Sequence, residues 1–247
     1  MNGFEALAQY YDRFVGADYS RIIRFIDEKI KLYTADASLV CDIGCGSGTV
    51  TFGLAECGYD MIGIDGSMEM LAEAMNKRTE CSVGDGVLFL CQDLPEFELY
   101  GTVDTIISTL DTLNYISCND ELERLFYWFR NYLNPGGLLI FDINTLFKYQ
   151  SMLNNHCEVY DDADIFLSWR SSFDGKVCSH QLTFFEKEGD SYIRSDEEQQ
   201  QCYYSPDSIE MFLKKYGFEI LDVCDDYSEA KPTIETQRLT FTARKKE

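Results

Sequence analysis

The chain of 247 residues has little basic charge: 21 lysine and arginine residues stand against 43 aspartate and glutamate residues, a formal net charge of −22. Nucleic-acid phosphates are bound by clustered basic side chains, so we expect no long DNA or RNA partner. No apolar run approaches the roughly 20 residues that a membrane-spanning helix needs, so no membrane partner is expected either. The first residues lack the basic and apolar regions of a secretory signal, and we therefore expect a cytoplasmic protein.

Metal-ligand and disulfide motifs are also absent. The two histidines, His156 and His180, do not combine with cysteines at metal-ligand spacing, and none of the 10 cysteines forms a Cys-x-x-Cys pair. We therefore expect no bound metal, and buried free thiols in a reducing compartment. Four of these thiols lie in apolar contexts: Cys41, Cys57, Cys91 and Cys224.

The chain does contain apolar runs that alternate with helical patterns. Five runs predict strands, at residues 39–43, 61–65, 87–91, 103–108 and 138–143. Helices are predicted between them at 49–57, 67–78 and 120–133, and two more between residues 3 and 33. Because strands that are apolar nearly throughout and alternate with helices form parallel sheets covered on both faces, we predict a doubly wound, Rossmann-like α/β core.

The pattern changes after residue 144. A helix predicted at 146–153 is followed by three alternating segments, at 161–172, 176–188 and 191–204, which predict antiparallel hairpins. A helix at 205–215 and strands at 218–223 and 236–244 then complete a seven-stranded sheet, mostly parallel, with an antiparallel last strand. We therefore predict a core of residues 1–150 and 206–247 with an N-terminal helical lid, and an antiparallel β insert of residues 151–205.

The first predicted strand runs into a glycine-rich turn, the segment 42–49 (DIGCGSGT). Its glycines, Gly44, Gly46 and Gly48, permit positive φ and let a ligand lie against the backbone, and the next helix offers unpaired N–H groups. Such a turn is typical of a nucleoside-cofactor site. NAD enzymes and other nucleotide-binding proteins share it, so the turn alone does not decide which cofactor binds.

Acidic or polar side chains follow every predicted core strand, where ligands bind in open α/β sheets. Asp65 lies about 20 residues beyond the glycine turn, where a carboxylate accepts hydrogen bonds from a ribose diol. The dinucleotide fingerprint would require its third glycine at the position of Thr49. Asp42, before the loop, favours a bound ammonium over a pyrophosphate. The pattern therefore indicates one nucleoside with a zwitterionic amino-acid tail.

The segment 42–49 resembles the first motif of class I S-adenosylmethionine-dependent methyltransferases. Three later segments are similar to further motifs of this family: 63–71 (GIDGSMEML), 91–94 (CQDL) and 133–137 (LNPGG). Three more resemble a bacterial subgroup of small methyltransferases that carries an antiparallel insert after strand five: 10–12 (YYD), 111–115 (DTLNY) and 141–145 (FDINT). The resemblance covers about residues 40–145 in the family's order, together with the segment at 10–12.

The resemblance implies a site for S-adenosylmethionine. Asp65 would hold the ribose hydroxyls, Met70 would pack near the adenine, and Asp93 would accept from the adenine amino group. Tyr11 would close over the cofactor, with Tyr19 as a second lid aromatic. The cofactor-binding residues predicted in this way are Tyr11, Tyr19, Asp42, Gly44, Cys45, Gly46, Gly48, Asp65, Gly66, Ser67, Met70, Gln92, Asp93, Leu94, Leu110 and Asp111.

Methyl transfer from a sulfonium requires alignment of the reacting atoms and exclusion of water, so no catalytic triad is expected. A general base is needed if the nucleophile is a hydroxyl or a protonated amine. The predicted catalytic residues are Asp111 and Tyr115, and further candidates for the base are Asn144 and His156. Asp111 could instead cap a helix, Tyr115 could serve packing, and His156 could be a solvated loop residue.

The insert is predicted to cap the acceptor side of the site. Its candidate pocket residues are Trp169, Arg170, Tyr203 and Tyr204, although aromatic residues on hairpins also serve cross-strand packing. The acidic clusters at 161–164 and 196–198 would imply a cationic or amine acceptor if they lined the pocket; otherwise they are exposed faces.

We thus predict a methyltransferase that uses S-adenosylmethionine, releases S-adenosylhomocysteine and acts on a small-molecule acceptor through a nitrogen or oxygen nucleophile. Two alternatives stay open. One is a non-catalytic S-adenosylmethionine-binding or sensor protein, and the other is an NAD-dependent oxidoreductase, which the glycine spacing disfavours. Neither the acceptor nor the oligomeric state follows from the sequence.

Overall fold

The computed structural model describes residues 6–34, 36–79, 83 and 86–247. The helices are α1 (Tyr11–Val15), α2 (Tyr19–Tyr33), α3 (Thr49–Glu56), α4 (Met68–Arg78), α5 (Asn119–Tyr132) and α6 (Pro206–Lys215). The strands are β1 (Leu39–Ile43), β2 (Asp60–Asp65), β3 (Val87–Cys91), β4 (Val103–Ser108), β5 (Leu133–Asn144), β6 (His156–Asp162), β7 (Ile165–Phe173), β8 (Val177–Glu188), β9 (Ser191–Cys202), β10 (Phe218–Asp225) and β11 (Arg238–Lys245). Within these residues, no helix combines the length and apolarity needed to span a bilayer.

Seven strands form one sheet in the order β10-β11-β5-β4-β1-β2-β3. The neighbours from β5 to β3 are parallel, whereas β11 runs antiparallel to both β5 and β10. One apolar cluster packs α5 and α6 against one face of the sheet, and a second packs α2 and α3 against the other. This confirms the predicted doubly wound, mostly parallel sheet with an antiparallel last strand.

The insert forms a separate antiparallel sheet in the order β6-β7-β8-β9. The prediction of one strand at 161–172 is wrong, because the chain turns at Ala163 and Asp164 and divides this segment between β6 and β7. Asp162 Oδ1 accepts a hydrogen bond from the Ala163 N–H at 2.6 Å, which stabilises the turn. The division of the chain into a core domain and an insert domain stays a prediction.

Two other element boundaries differ from the prediction. The helix predicted at 146–153 is mostly a π-helical turn, Lys148–Leu153. Strand β5 begins at Leu133 rather than at residue 138, because Leu133 already pairs with Val103 of β4.

The N-terminal segment packs against the insert sheet. A 3₁₀ turn, Ala8–Tyr10, precedes α1. Glu197 of β9 is buried and accepts hydrogen bonds from the backbone N–H groups of Ala6 and Leu7, both at 2.8 Å. These contacts fasten the start of the lid segment to the insert. The apolar cluster that joins them comprises Leu7, Phe14, Ile165, Leu167, Leu182 and Phe184.

The described cysteines are free thiols, and Cys81 lies outside the described residues. Cys41 and Cys224 are buried, as predicted. The predicted burial is wrong for Cys57, which is exposed just after α3, and for Cys91, which is exposed at the end of the edge strand β3.

Candidate active site

The glycine-rich turn lies between β1 and α3 and is held by β2. The Gly44 N–H donates to the Ile64 carbonyl at 2.7 Å, and the Gly46 N–H donates to Asp65 Oδ2 at 2.8 Å. A Cβ at Gly44 would lie 2.2 Å from Thr112 Cγ2, so only glycine fits there. At Gly46 a Cβ would meet no atom within 4 Å, which leaves the backbone open to close approach by a ligand.

Two other predicted residues of the turn have mainly structural contacts. The Cys45 N–H donates to the Ile64 carbonyl at 3.0 Å, and Cys45 is buried. Gly48, with φ +74°, precedes α3, and a Cβ at this position would lie 3.0 Å from Phe89 Cζ and 3.1 Å from Ala74 Cβ. These contacts hold the turn in place, and a contact of either residue with the cofactor stays a prediction.

Asp65 is the last residue of β2 and lies beside the glycine turn. Its Oδ1 accepts from the Ser67 N–H at 2.8 Å, while Oδ2 accepts from Gly46. Burial raises the pKa of Asp65 above its ordinary value, although these backbone hydrogen bonds oppose the shift. Asp65 and the buried Met70 line a small cavity of about 30 Å³. Ser67 caps α4, since its Oγ accepts from the Met70 N–H at 3.1 Å.

Asp42 is buried behind the turn and does not line either small cavity beside it. Its Oδ2 accepts from the Thr51 hydroxyl at 2.7 Å, while Oδ1 has no hydrogen-bond partner in the part of the chain that the structure describes. Burial raises the pKa of Asp42 to about 7. Its contact with a cofactor ammonium therefore stays a prediction.

The predicted adenine side follows β3. The Gln92 N–H donates to the Asp65 carbonyl at 3.0 Å, and the Gln92 amide bonds to the backbone of Glu98 at 2.7 and 3.2 Å. Asp93 is exposed and Leu94 packs on the core, and neither lines the two small cavities. The roles of these three residues and of Gly66 toward the cofactor stay predictions.

Aromatic residues of the N-terminal helices cover the glycine turn. Tyr11 lines both small cavities, of about 30 and 20 Å³, and Tyr19 lines the second. The Tyr19 hydroxyl donates to Asp12 Oδ1 at 2.5 Å. Tyr11 thus forms part of the wall of both small cavities.

Asp12 fastens α1 to the glycine turn. Its carboxylate accepts from the hydroxyls of Ser47 and Thr49, at 3.0 and 3.1 Å, and from Lys77 Nζ. The charge of Lys77 and these hydrogen bonds lower the pKa of Asp12 in spite of its burial, which keeps it ionised. The sequence singled out segment 10–12 but assigned no role to Asp12 or Lys77.

A strained turn follows β4. Leu110 and Asp111 both have left-handed backbone conformations, with φ of 56° and 59°. Asp142 of β5 holds this turn, since its two oxygens accept from the N–H groups of Leu110 and Asp111, both at 2.7 Å. Asp142 is fully buried and also accepts from Tyr227 and from Arg238. Such strain persists where the surroundings overdetermine it, often at functional sites.

Asp111, a predicted catalytic residue, is engaged at both carboxylate oxygens. Arg238 Nη2 donates to Oδ1 at 2.7 Å, and Gln201 Nε2 donates to Oδ2. Burial opposes ionisation, but Lys148 and Arg238 outweigh it and lower the pKa of Asp111. An anion stabilised in this way is a weak proton acceptor at neutral pH, and it is better suited to orient an acceptor N–H or O–H.

The other predicted catalytic groups lie near Asp111. The Tyr115 hydroxyl donates to Gln199 Oε1 at 3.2 Å, and burial raises the pKa of Tyr115, so that it stays protonated. The buried Asn144 accepts from Lys148 Nζ at 2.8 Å through its amide oxygen. His156 is exposed, and it is the first residue of strand β6 rather than part of a loop.

A larger cavity of about 450 Å³ lies between the core, the lid and the insert. Tyr11 and Tyr115 line this cavity and also the 30 Å³ cavity beside Asp65, so the two adjoin. The four candidate bases line it as well: Asp111, Tyr115, Asn144 and His156. The structure therefore brings the predicted catalytic residues together on one cavity.

The insert contributes to this cavity differently from the prediction. Trp169 lines it, whereas Arg170, Tyr203 and Tyr204 do not. Tyr204 is instead buried, and its hydroxyl donates to the Ile116 carbonyl at 2.5 Å. Neither acidic cluster lines the cavity, so the condition for a cationic acceptor is not met.

The lining residues that the sequence did not predict include Lys148, His180 and Arg238. Arg238 begins β11, and the insertion of this strand between β5 and β10 places it beside Asp111. No local sequence signal marks these residues, because their position depends on strand order and on how the insert packs.

These features define an α/β protein with a nucleoside-cofactor site at the carboxyl ends of its parallel strands and an adjoining cavity. Residues 40–137 match the methyltransferase domain family. The chain is 30% identical over 246 residues to YqeM of Bacillus subtilis (strain 168), which is named as a methyltransferase, covering 98% of this chain and 97% of that one. It is 32% identical to an S-adenosylmethionine-dependent methyltransferase of Clostridium acetobutylicum, whose crystal structure matches with a TM-score of 0.88 over 99% of both chains.

The chain therefore belongs to the S-adenosylmethionine-dependent methyltransferases, and S-adenosylmethionine is its cofactor. It is also 26% identical over 136 residues to a dTDP-3-amino-3,4,6-trideoxy-α-D-glucopyranose N,N-dimethyltransferase of Streptomyces venezuelae, covering 54% of this chain and 55% of that one. The residues present fit this cofactor, since Gly46 leaves its backbone open and Asp65 offers a carboxylate at the same edge.

Proposed function

We propose that this methyltransferase acts on a small molecule, through a nitrogen or oxygen nucleophile, in the cavity of about 450 Å³. The observation that carries the proposal is that Tyr11 and Tyr115 line both this cavity and the small cavity at Asp65. A cavity of this volume suits a small ligand. The match to an amino-sugar dimethyltransferase and the net charge of −22 both favour a small acceptor over a nucleic acid.

We infer that the cofactor lies along the glycine turn. Gly44 and Gly46 line its methionine part, and Asp65 accepts hydrogen bonds from its ribose hydroxyls. Met70 packs near the adenine and Tyr11 closes over the site. What supports this arrangement is that all of these residues line the same small cavity.

When bound, S-adenosylmethionine supplies a methyl group that its sulfonium already activates. The protein must position the acceptor and exclude water, and such positioning is worth about 7–11 kcal/mol. Asp142 holds the turn after β4 and thereby places Asp111 at the cavity of about 450 Å³ and Leu110 at the adjoining cavity of about 30 Å³. In this proposal the Asp111 carboxylate orients an acceptor N–H or O–H, while the Tyr115 hydroxyl keeps its proton, donates it to Gln199 and lines the cavity.

The experiment is an assay of S-adenosylhomocysteine release with fractionated metabolite extracts. We expect release with the low-molecular-mass fraction and none for an Asp65→Ala variant. Release only with RNA or protein fractions would contradict a small acceptor. Cofactor binding without release from any fraction would favour the sensor alternative.

A further inference from the structure

His180 places an unused hydrogen-bond donor at the acceptor cavity. It lies on β8, is 4% exposed and lines the cavity. Trp169 Nε1–H donates to His180 Nδ1 at 3.1 Å, so the proton of the neutral ring lies on Nε2. This buried Nε2 has no partner among the residues that the structure describes. A buried donor without an acceptor costs free energy unless a ligand or a water satisfies it.

His180 stays neutral at physiological pH. Burial lowers the pKa of His180 to about 4 and the charge of Lys148 acts in the same direction, whereas Asp111 and Gln201 oppose the shift only in part. The ring is therefore a fixed donor rather than a proton-transfer group. Such a donor is suited to an oxygen atom of a ligand.

Lys148 places a positive charge on the core side of the same cavity. Its Nζ donates to Asn144 Oδ1 at 2.8 Å, and in the described ranges no carboxylate lies at ion-pair distance from it. Arg238 differs, since it forms ion pairs with three carboxylates: Asp111, Asp142 and Asp226. Burial lowers the pKa of Lys148, and a bound anion would restore its charged form.

Most of the remaining charges that line the cavity are compensated. Arg13 pairs with Asp162 and Arg238 pairs with Asp111, whereas Glu158 lines the cavity from the exposed strand β6. Aromatic side chains, among them Phe14 and Trp169, form the apolar walls. Resting on the function proposed above, we propose that the acceptor carries an anionic oxygen group, a carboxylate or a phosphate, which Lys148 and His180 bind.

The test uses ¹⁵N-histidine-labelled protein saturated with S-adenosylhomocysteine, because the chain has only two histidines. A His156→Ala variant assigns the remaining ring signals to His180. The probes are benzoate, phenyl phosphate, benzamide and benzylamine. We expect His180 to be protonated at Nε2, and benzoate or phenyl phosphate to shift this signal and to bind about tenfold or more tightly than benzamide. Tighter binding of benzoate would identify the anionic group of the acceptor as a carboxylate, and tighter binding of phenyl phosphate would identify it as a phosphate.

Lys148→Met is expected to reduce the affinity for the preferred anion about tenfold, to the level of benzamide. Lys187→Met is the matched control, since Lys187 is exposed on the same strand as His180 and should leave the affinity unchanged. Preferred binding of benzylamine, equal binding of benzoate and benzamide, or no binding of either anion would overturn the proposal. If the protein binds the anions but releases no S-adenosylhomocysteine with any metabolite fraction, the proposed function is refuted and the anion site is not.

Discussion

Asp65 links the glycine turn to α4 through the N–H groups of Gly46 and Ser67. We predict that Asp65→Ala weakens S-adenosylmethionine affinity about 100-fold or more, because hydrogen bonds from two ribose hydroxyls to a charged acceptor are lost. Isothermal titration calorimetry measures the effect. Asp60→Ala, exposed on the same strand, is the control. Unchanged affinity of Asp65→Ala would show that the ribose is held elsewhere.

The raised pKa of Asp42 leads us to predict that the stability of the protein depends on pH. This pKa is about 7 in the folded protein against an ordinary value of 3.8, so the folded state keeps a proton that the unfolded chain releases. The free energy of unfolding should therefore fall as the pH rises from about 4 to about 7, by up to about 1.4 kcal/mol per pH unit. Asp42→Asn, which has no proton to release, should remove this slope.

Urea unfolding at several values between about pH 5 and about pH 8 measures how the free energy of unfolding changes with pH. Asp60→Asn is the matched control, because this exposed side chain on β2 should leave the wild-type slope unchanged. Parallel pH profiles of wild type and Asp42→Asn would contradict the prediction.

Site residues could be predicted from the sequence where they lie close along the chain to the glycine turn or directly follow a core strand. Asp65 and Met70 fall beside the glycine turn, because parallel strands end at the same edge and a short helix follows. His180 and Arg238 could not be predicted in this way. Arg238 is 127 residues from Asp111, and only the strand order brings the two together.

Helix α1 is only five residues long and depends on Asp12 for its attachment to the glycine turn. We predict that Asp12→Ala weakens S-adenosylhomocysteine binding about tenfold, mainly through faster dissociation, because hydrogen bonds to charged groups are lost at the lid. Stopped-flow displacement measures the dissociation rate. Gln9→Ala is the control, since Gln9 makes an exposed hydrogen bond in the same segment. An unchanged rate for Asp12→Ala would sink the prediction.

The core strands could be predicted more accurately than the insert. The bounds of β1, β3 and β4 agree with their apolar runs, because strands of a parallel sheet that helices cover are apolar nearly throughout. The turn between β6 and β7 contains Ala163 and Asp164 but no glycine, so it lacks the usual hairpin signal.

The lid and the insert stabilise each other through Glu197. We predict that Glu197→Ala lowers the free energy of unfolding by about 1.5–3 kcal/mol, because the N–H groups of Ala6 and Leu7 lose a charged acceptor. Urea unfolding measures the change. Glu198→Ala, an exposed neighbour on the same strand, should have little effect. Equal losses in both variants would contradict the prediction.

Tyr11 lines the two small cavities beside the glycine turn and also the larger cavity of about 450 Å³. Since the short helix α1, which begins at Tyr11, covers these cavities, its detachment would open them together. We therefore predict ordered kinetics, in which S-adenosylmethionine binds before the acceptor, the methylated product leaves before S-adenosylhomocysteine, and detachment of the helix limits turnover. S-adenosylhomocysteine should then inhibit competitively against S-adenosylmethionine and noncompetitively against the acceptor.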